Sequence, residues 1–314
     1  MASIKSIRQR IKGAQNTAKI TKAMEVVSAT KMRRSQQFAL RARPYAVASF
    51  EMLQNILART VRSIGIEAAL AHPLFENRTV GVRALLVVTA DKGLAGAINT
   101  NVLKKADAWI ASHSDAPYTL ITVGKKAKEY YERRQAPITQ SFVGFGDYST
   151  QDDTGPVAHV LMQGFIDGLW DSVDAVYTNF RTSLLQESVV RPILPATTEG
   201  LSEVVRSILP ESGRFAATKM PAAPESPYRY EYTIEPSSEE VLSILVPQLI
   251  RLHIHHVILE SNASEHSARM VAMKSASDNA RELITDFTRM YNQVRQASIT
   301  REIAEISAGA EAQN

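Results

Sequence analysis

Stepping forward from Leu242 alternately by three and four residues lands on Leu245, Leu249, Leu252, His256, Leu259, Ala263, His266, Met270, Met273, Ser277, Ala280, Ile284, Phe287, Tyr291, Val294 and Ser298. The alternation does not break, and most landings are apolar or small. A seam of this period belongs to a helix that lies along another helix. No glycine occurs between Arg214 and Ala308, so nothing flexible interrupts residues 239–306. A helix of that length rises about 100 Å, roughly twice the width of a compact domain of this size, which predicts a protruding rod. His256, His266, Ser277 and Ser298 are poor knobs for a structural zipper and allow closer or shifting contacts. Pro247 predicts a kink near the start of the rod.

A second long helix is expected over residues 3–63, with Ser3 as its cap. Ile4, Ile7, Ile11, Ala14, Ala18 and Thr21 keep the three-four step. The apolar stripe then shifts to Ile20, Met24 and Val27, and resumes as Ala46, Phe50, Leu53, Leu57, Thr60 and Ile64. Drift of this kind follows from 3.6 residues per turn. Pro44 is the expected kink.

Between the two helices the period changes. Residues 82–89 form a continuous apolar run suited to a strand buried on both faces. The turn Asp91-Lys92-Gly93-Leu94-Ala95-Gly96 follows, then a helical pattern over 97–111. Strands are expected at 118–123, 141–145, 175–180 and 189–194, and helices at 125–133 and 157–169. Alternation of this kind predicts a mostly parallel sheet with helices on its faces. Residues 65–78 read as connecting material. Residues 197–236 hold five of the thirteen prolines. They read as loop, with a short helix at 201–209, a Pro-rich excursion near 197–227 and an edge strand at 228–234. The tail after Ile306 is expected to fray.

The chain is therefore expected to be α/β. Its N- and C-terminal helices (1–64 and 237–314) form a long antiparallel two-helix coiled coil, and a Rossmann-like α/β domain (65–236) is inserted between them. Its 314 residues contain no cysteine, which excludes disulfides, thiol catalysis and thiolate metal sites. No signal peptide is expected, since no apolar stretch follows the basic N-terminus. No membrane span is expected either: the most apolar window, 241–259, carries Arg251, three histidines and Pro247.

Chemistry-bearing motifs are sparse. No GxGxxG or GxxxxGK[ST] follows a strand. The 91–96 turn sits at a strand-to-helix corner where phosphates bind, but it has only two glycines at an unsuitable spacing, which favours a structural turn or a partner contact. On a helix His253 and His255, two residues apart, do not face one another, and His253 with His256 lacks an obvious carboxylate partner, so packing or solvation is favoured over metal. The strongest electrostatic feature is the first 43 residues, with eleven Lys or Arg and one acid, Glu25. These charges spread around several faces and suit nucleic acid, an acidic protein socket, or plain solvation. The lack of interleaved aromatics over 1–37 weakens a single-strand-binding reading. A small-molecule enzyme built on the α/β domain is the third reading.

The two ends resolve these alternatives. Ile4-Lys5-Ser6-Ile7-Arg8-Gln9-Arg10-Ile11, the run from Gln15 through Lys19-Ile20-Thr21-Lys22-Ala23-Met24-Glu25 to Val27, and Lys31-Met32-Arg33-Arg34 resemble the N-terminus of the gamma-subunit family of F-type ATP synthases. Ala263-Ser264-Glu265-His266-Ser267-Ala268-Arg269-Met270-Val271-Ala272-Met273-Lys274, Asp278-Asn279, Tyr291-Asn292 and Arg295-Gln296-Ala297-Ser298-Ile299-Thr300 resemble its C-terminal signature. The 91–96 turn matches more loosely. The chloroplast form carries a redox dithiol that this chain lacks.

The resemblance implies a central rotor shaft. It would transmit torque between a proton-driven c-ring and the catalytic beta subunits, and would hold no catalytic, cofactor-binding or metal-binding residue itself. Its implied partners are the alpha and beta subunits of an alpha3beta3 hexamer, the epsilon subunit and the c-ring, with no nucleic acid and no direct membrane span. The implied location is peripheral, on the cytoplasmic side of a bacterial cell inner membrane. Met24, Lys92, Ala95 and Arg269 are placed near the beta-subunit levers, and Arg295, Gln296 and Thr300 near the upper bearing. Tyr232 and Glu235 are placed toward the c-ring and epsilon. Arg269 is expected to be an exposed charge whose loss affects coupling more than folding.

Overall fold

The computed structural model describes residues 4–64, 72–146, 149–197, 235 and 237–311. The expected Pro-rich excursion, the 201–209 helix and the 228–234 strand lie outside the described residues. The chain order is α1 (Ile4–Ile64), a short 3-10 turn (Pro73–Phe75), β1 (Arg83–Val88), α2 (Ile98–Ser112), β2 (Tyr118–Val123), α3 (Lys125–Glu132), β3 (Ile138–Phe142), α4 (Gln151–Ile166), β4 (Ser172–Phe180), β5 (Gln186–Leu194) and α5 (Ser238–Glu311). Both terminal helices are continuous through their prolines, Pro44 and Pro247. Helix α5 continues five residues past the expected fraying point.

The chain divides into two compact units. One joins residues 1–29 to residues 269–314, and the other holds residues 30–268.

In the α/β unit the strand order is β3-β2-β1-β4-β5. Strand β1 pairs in parallel with β2 and β4, β2 pairs in parallel with β3, and β5 closes the sheet antiparallel to β4. Alternate residues serve opposite faces, as the period of two requires. Ala84, Leu86, Val88, Ile121, Val123, Ala175 and Tyr177 share a core with Val157, Leu161 and Phe165 of α4 and with Val246, Ile250, Ile254 and Val257 of α5. Leu53 and Ile56 of α1 join the same core. Leu85, Val87, Leu120 and Val176 meet Val102, Ala106 and Trp109 of α2 and Ala127 and Tyr131 of α3. Each large aliphatic side chain fully withdrawn from water contributes about 1.5–3 kcal/mol, so the first third of α5 is held firmly on the sheet.

That placement also accounts for the apolarity of α5. It is the one described helix long and apolar enough to cross a membrane, but its most apolar window is 67% buried within the protein. The apolar surface faces a sheet.

Several element boundaries differ from the sequence expectation for local reasons. Helix α4 begins at Gln151, six residues early, because Thr150 and Asp153 form a capping box. The Thr150 N–H donates to Asp153 Oδ2 at 2.7 Å, and the Asp153 N–H donates back to Thr150 Oγ1 at 3.3 Å. Pro156 lies inside this helix. Strand β3 lies three residues earlier than expected. Its carbonyl end meets the next corner, where the Gly124 N–H donates to Phe142 O at 2.8 Å.

The larger correction concerns α1. Its stripe does not shift to Ile20 and Val27, which are 60% and 52% exposed. Among the described residues the buried positions are Ile7, Thr21, Ser28, Met32, Ser35, Ser49, Leu53 and Ile56, which fall on one three-four register with small residues on several landings. Thr21 is accommodated because its hydroxyl donates to the Thr17 carbonyl at 2.9 Å. Small hydroxyl residues permit a close helix approach, and bulkier Ile and Val are left outside.

Candidate functional site: partner-contact surfaces

The unit of residues 1–29 and 269–314 pairs the start of α1 with the last part of α5, so the two helices run antiparallel. On α5, Met273, Ser277 and Ala280 are buried, and Ile284, Phe287, Tyr291, Val294 and Ser298 are half-buried, along the expected seam. Arg269 is also buried, at 6% exposure, and is engaged within the chain. It is therefore not the exposed charge expected, and truncating it perturbs folding as well as any contact. Met24 is half-buried in the same unit, and Arg295, Gln296 and Thr300 are exposed on α5.

The outer face of this unit is amphipathic. Ala18, Ala23, Val26 and Val27 line a groove of about 670 Å³ together with Lys19, Lys22 and Arg281. Lys22 Nζ sits 2.9 Å from Glu25. Lys5, Arg8, Arg10 and Lys12 of α1 are also exposed. An apolar floor flanked by cations is complementary to an acidic, amphipathic protein element.

In the α/β unit the corner after β1 is fixed by hydrogen bonds. Asp91 Oδ1 accepts from the Lys125 N–H at 2.8 Å, at the start of α3, and Asp91 Oδ2 accepts from the Gly144 N–H at 2.9 Å. The anion position at that helix N-terminus is thus filled by the chain's own carboxylate. Thr89 Oγ1 accepts from the Ala127 N–H at 2.8 Å and donates to Val123 O at 3.2 Å. The turn beyond is presented outward: Leu94 has φ +62° and is 65% exposed. Lys92 is exposed, and Ala95 is buried. Glu235 is exposed, and Tyr232 lies outside the described residues.

The histidine cluster packs into the junction between α5 and the sheet. His253, His255 and His256 are all buried. His255 Nδ1 lies 3.0 Å from Thr154 Oγ1 on α4. His256 Nε2 lies 3.3 Å from Glu260 Oε1, so the carboxylate partner sits one helical turn away at i+4. That spacing is readable in the sequence, and the expectation that no partner exists is corrected. Among the described residues no three His, Asp or Glu gather as a metal cage. Burial lowers His253 to about 3 and His255 to about 4, with the neighbouring His256 adding to both shifts.

Two serines of the C-terminal motif act as rivets between α5 and the sheet, which sequence reasoning did not find. Ser264 Oγ donates to Thr178 O of β4 at 3.2 Å, and Ser267 Oγ donates to Ser183 O in the β4–β5 turn at 2.7 Å. Only their small size at seam-adjacent positions hinted at this role. Ser267→Ala is expected to cost about 1 kcal/mol. Amide exchange over residues 182–186 should speed up while exchange in the strands is unchanged. Unaltered exchange in that turn would show that the rivet carries no load.

Comparison with known proteins agrees with this architecture. The ATP synthase family profile matches residues 3–313. The ATP synthase gamma chain of Herpetosiphon aurantiacus is 38% identical over 322 residues, covering 100% of both chains. That of Opitutus terrae is 38% identical over 309 residues, covering 98% of each. A solved chain of the Euglena gracilis mitochondrial ATP synthase shares the fold, with TM-score 0.62, 17% identity and coverage of 99% of this chain and 94% of that one. A central-stalk chain of the Tetrahymena thermophila enzyme gives TM-score 0.56 and 22% identity, covering 82% and 99%. With full-length identity of this order, two seam-paired terminal helices and an inserted parallel sheet, the chain belongs to the ATP synthase gamma-chain family.

Proposed function

We propose that this chain is a non-catalytic rotor shaft. Residues 1–64 and 237–314 would supply the axle, and residues 65–236 the base that meets the c-ring and epsilon subunit through the segment holding Tyr232 and Glu235. Met24, Lys92, Ala95 and Arg269 are assigned to the neighbourhood of the beta subunits, and Arg295, Gln296 and Thr300 to the upper bearing. The complex is membrane-associated, and this chain lies peripherally on the cytoplasmic side of a bacterial inner membrane. ATP chemistry takes place on the beta subunits.

The observation that carries this reading is the one-sided outer face of α1. A ligand shifts an equilibrium only by its differential affinity for the two states. A symmetric rod would press three identical catalytic subunits alike. A rod with an apolar, cation-flanked groove on one side favours a different conformation in whichever subunit it faces. Val27 is half-exposed in that groove, so Val27→Glu should leave the melting temperature within about 1 °C of the parent, since exposed substitutions cost little. The same change is expected to lower ATP-driven rotation about tenfold, because it places like charge against an acidic partner. The direct test is rotation of a probe attached to residues 65–236 in a complex of this chain with the alpha3beta3 hexamer. A stationary probe during full ATP turnover refutes the shaft.

A further inference from the structure

The carboxyl ends of the parallel strands leave a space beside α5. It is a cavity of about 230 Å³, lined by Val88 and Thr89 where β1 ends and by Val123 and Gly124 where β2 ends. Phe145, just past β3, adds an aromatic ring to the lining. Helix α5 contributes Ile258, Asn262 and Glu265, whose four-three step puts them on one helix face. Ligands of open α/β sheets bind in this place, outside the carboxyl ends of the strands and beside the strand where the order reverses. Here that strand is β1, because β2 and β3 lie to one side of it and β4 to the other.

The lining decides what kind of ligand the cavity accepts. Asp91 already receives the Lys125 and Gly144 N–H groups, so the start of α3 offers nothing to a phosphate. Glu265 is a second carboxylate and is engaged within the chain. The cation Lys92 stands against these two carboxylates and is exposed to water. An anion therefore meets more like charge than unlike charge. Asn262 differs from these groups. Its Nδ2 is buried and has no hydrogen-bond partner among the described residues. A buried amide donor without an acceptor carries an uncompensated desolvation cost, and an incoming oxygen would remove it. Val88, Val123 and Ile258 are buried aliphatic groups that suit an apolar body. At about 30 Å³ per water in the liquid, the cavity has room for about eight waters, or for one aromatic ring with a small substituent.

We propose that this cavity is a binding site for a small uncharged carbonyl compound, with a ring-sized apolar body packed on the strand ends and its oxygen accepting from Asn262 Nδ2. The site is separate from the surfaces assigned to the rotor contacts, and it stands whether or not the chain is a shaft. An occupant would touch both α5 and the ends of β1 and β2, so it would stabilise the α/β unit by mass action.

Benzamide is the probe, since it has one ring and one neutral amide. Titrated into the ¹⁵N-labelled full chain, it should shift the side-chain amide signal of Asn262, identified by its loss in Asn262→Ala. The backbone signals of Thr89, Gly124 and Gly144 should move with it, along one saturable curve whose Kd is millimolar or tighter, as suits so small a ligand. Benzoate has the same shape and a negative charge, and should bind about tenfold more weakly. Asn262→Ala should weaken benzamide about five- to tenfold, the worth of one hydrogen bond. Its melting temperature should not fall, because the truncation removes a donor that had no acceptor. If that variant unfolds, the parent titration decides alone through the signals of Thr89, Gly124 and Gly144. Absence of a saturable shift at those residues overturns the proposal. So does equal affinity of the parent and a folded Asn262→Ala, or tighter binding of benzoate than of benzamide.

Discussion

Replacing Gly124 by alanine is expected to destabilise the chain by about 2–5 kcal/mol, a large share of the stability of an ordinary domain. Gly124 has φ +92°, a region that residues with a Cβ rarely adopt. A Cβ built there would lie 2.0 Å from Thr89 O and 2.7 Å from Thr89 C. Neither atom can yield, because both belong to the backbone where β1 ends. The Thr89 N–H donates to Val123 O at 2.8 Å, and the Gly124 N–H donates to Phe142 O at 2.8 Å. Relief therefore requires parting three strand ends and the corner that Asp91 holds. Left-handed strain contributes about 1–2 kcal/mol, and overpacking against fixed backbone about 1–3 kcal/mol more. Urea unfolding followed by circular dichroism measures the loss. Gly93→Ala, two residues beyond Asp91, is the control: no heavy atom lies within 4 Å of its built Cβ. A Gly124→Ala midpoint equal to that of Gly93→Ala would show the corner to be deformable.

The second large effect is loss of stability in mild acid. His253 and His255 have folded pKa values of about 3 and about 4, against an ordinary value near 6.5. Between pH 6.5 and 4 the unfolded chain thus binds up to two protons that the folded chain refuses. Both pKa values are depressed by folding, so their contribution is complete above pH 6.5 and is lost as pH falls. Between pH 7 and pH 5 each histidine removes about 2 kcal/mol, or about 3–4 kcal/mol for the pair. The groups facing them reinforce this. His256 and Arg191 oppose a charge on His253, and His256 opposes one on His255, where Asp153 gives only partial relief. His253 Nε2 has no hydrogen-bond partner, so His253→Leu leaves no group orphaned. That variant should lose only about 2 kcal/mol between pH 7 and pH 5. An unchanged slope would mean that His253 is protonated in the folded state.

Much of this architecture is legible in the amino-acid order, for identifiable reasons. The α5 seam is buried or half-buried at every step because a three-four period gathers the apolar and small residues on one helix face, which the sheet core covers at its start. The strands are legible because runs such as Leu85-Leu86-Val87-Val88 suit a sheet covered on both faces. The start of α4 was readable in Thr150 and Asp153, and the partner of His256 in Glu260 at i+4. Both signals are local. The Ser264 and Ser267 rivets were not legible, because their acceptors lie more than eighty residues away in sequence.

From its order alone, then, this chain determined two unbroken terminal helices, a parallel sheet between them and the family they form, because period and alternation are properties of neighbouring residues. Which side of α1 faces inward was decided only in three dimensions. Thr21, Ser28 and Ser35 are buried while Ile20, Val26 and Val27 are exposed, the reverse of what hydropathy predicts. Close helix packing selects for size before polarity, and how near the second helix comes is written in no single stretch of residues.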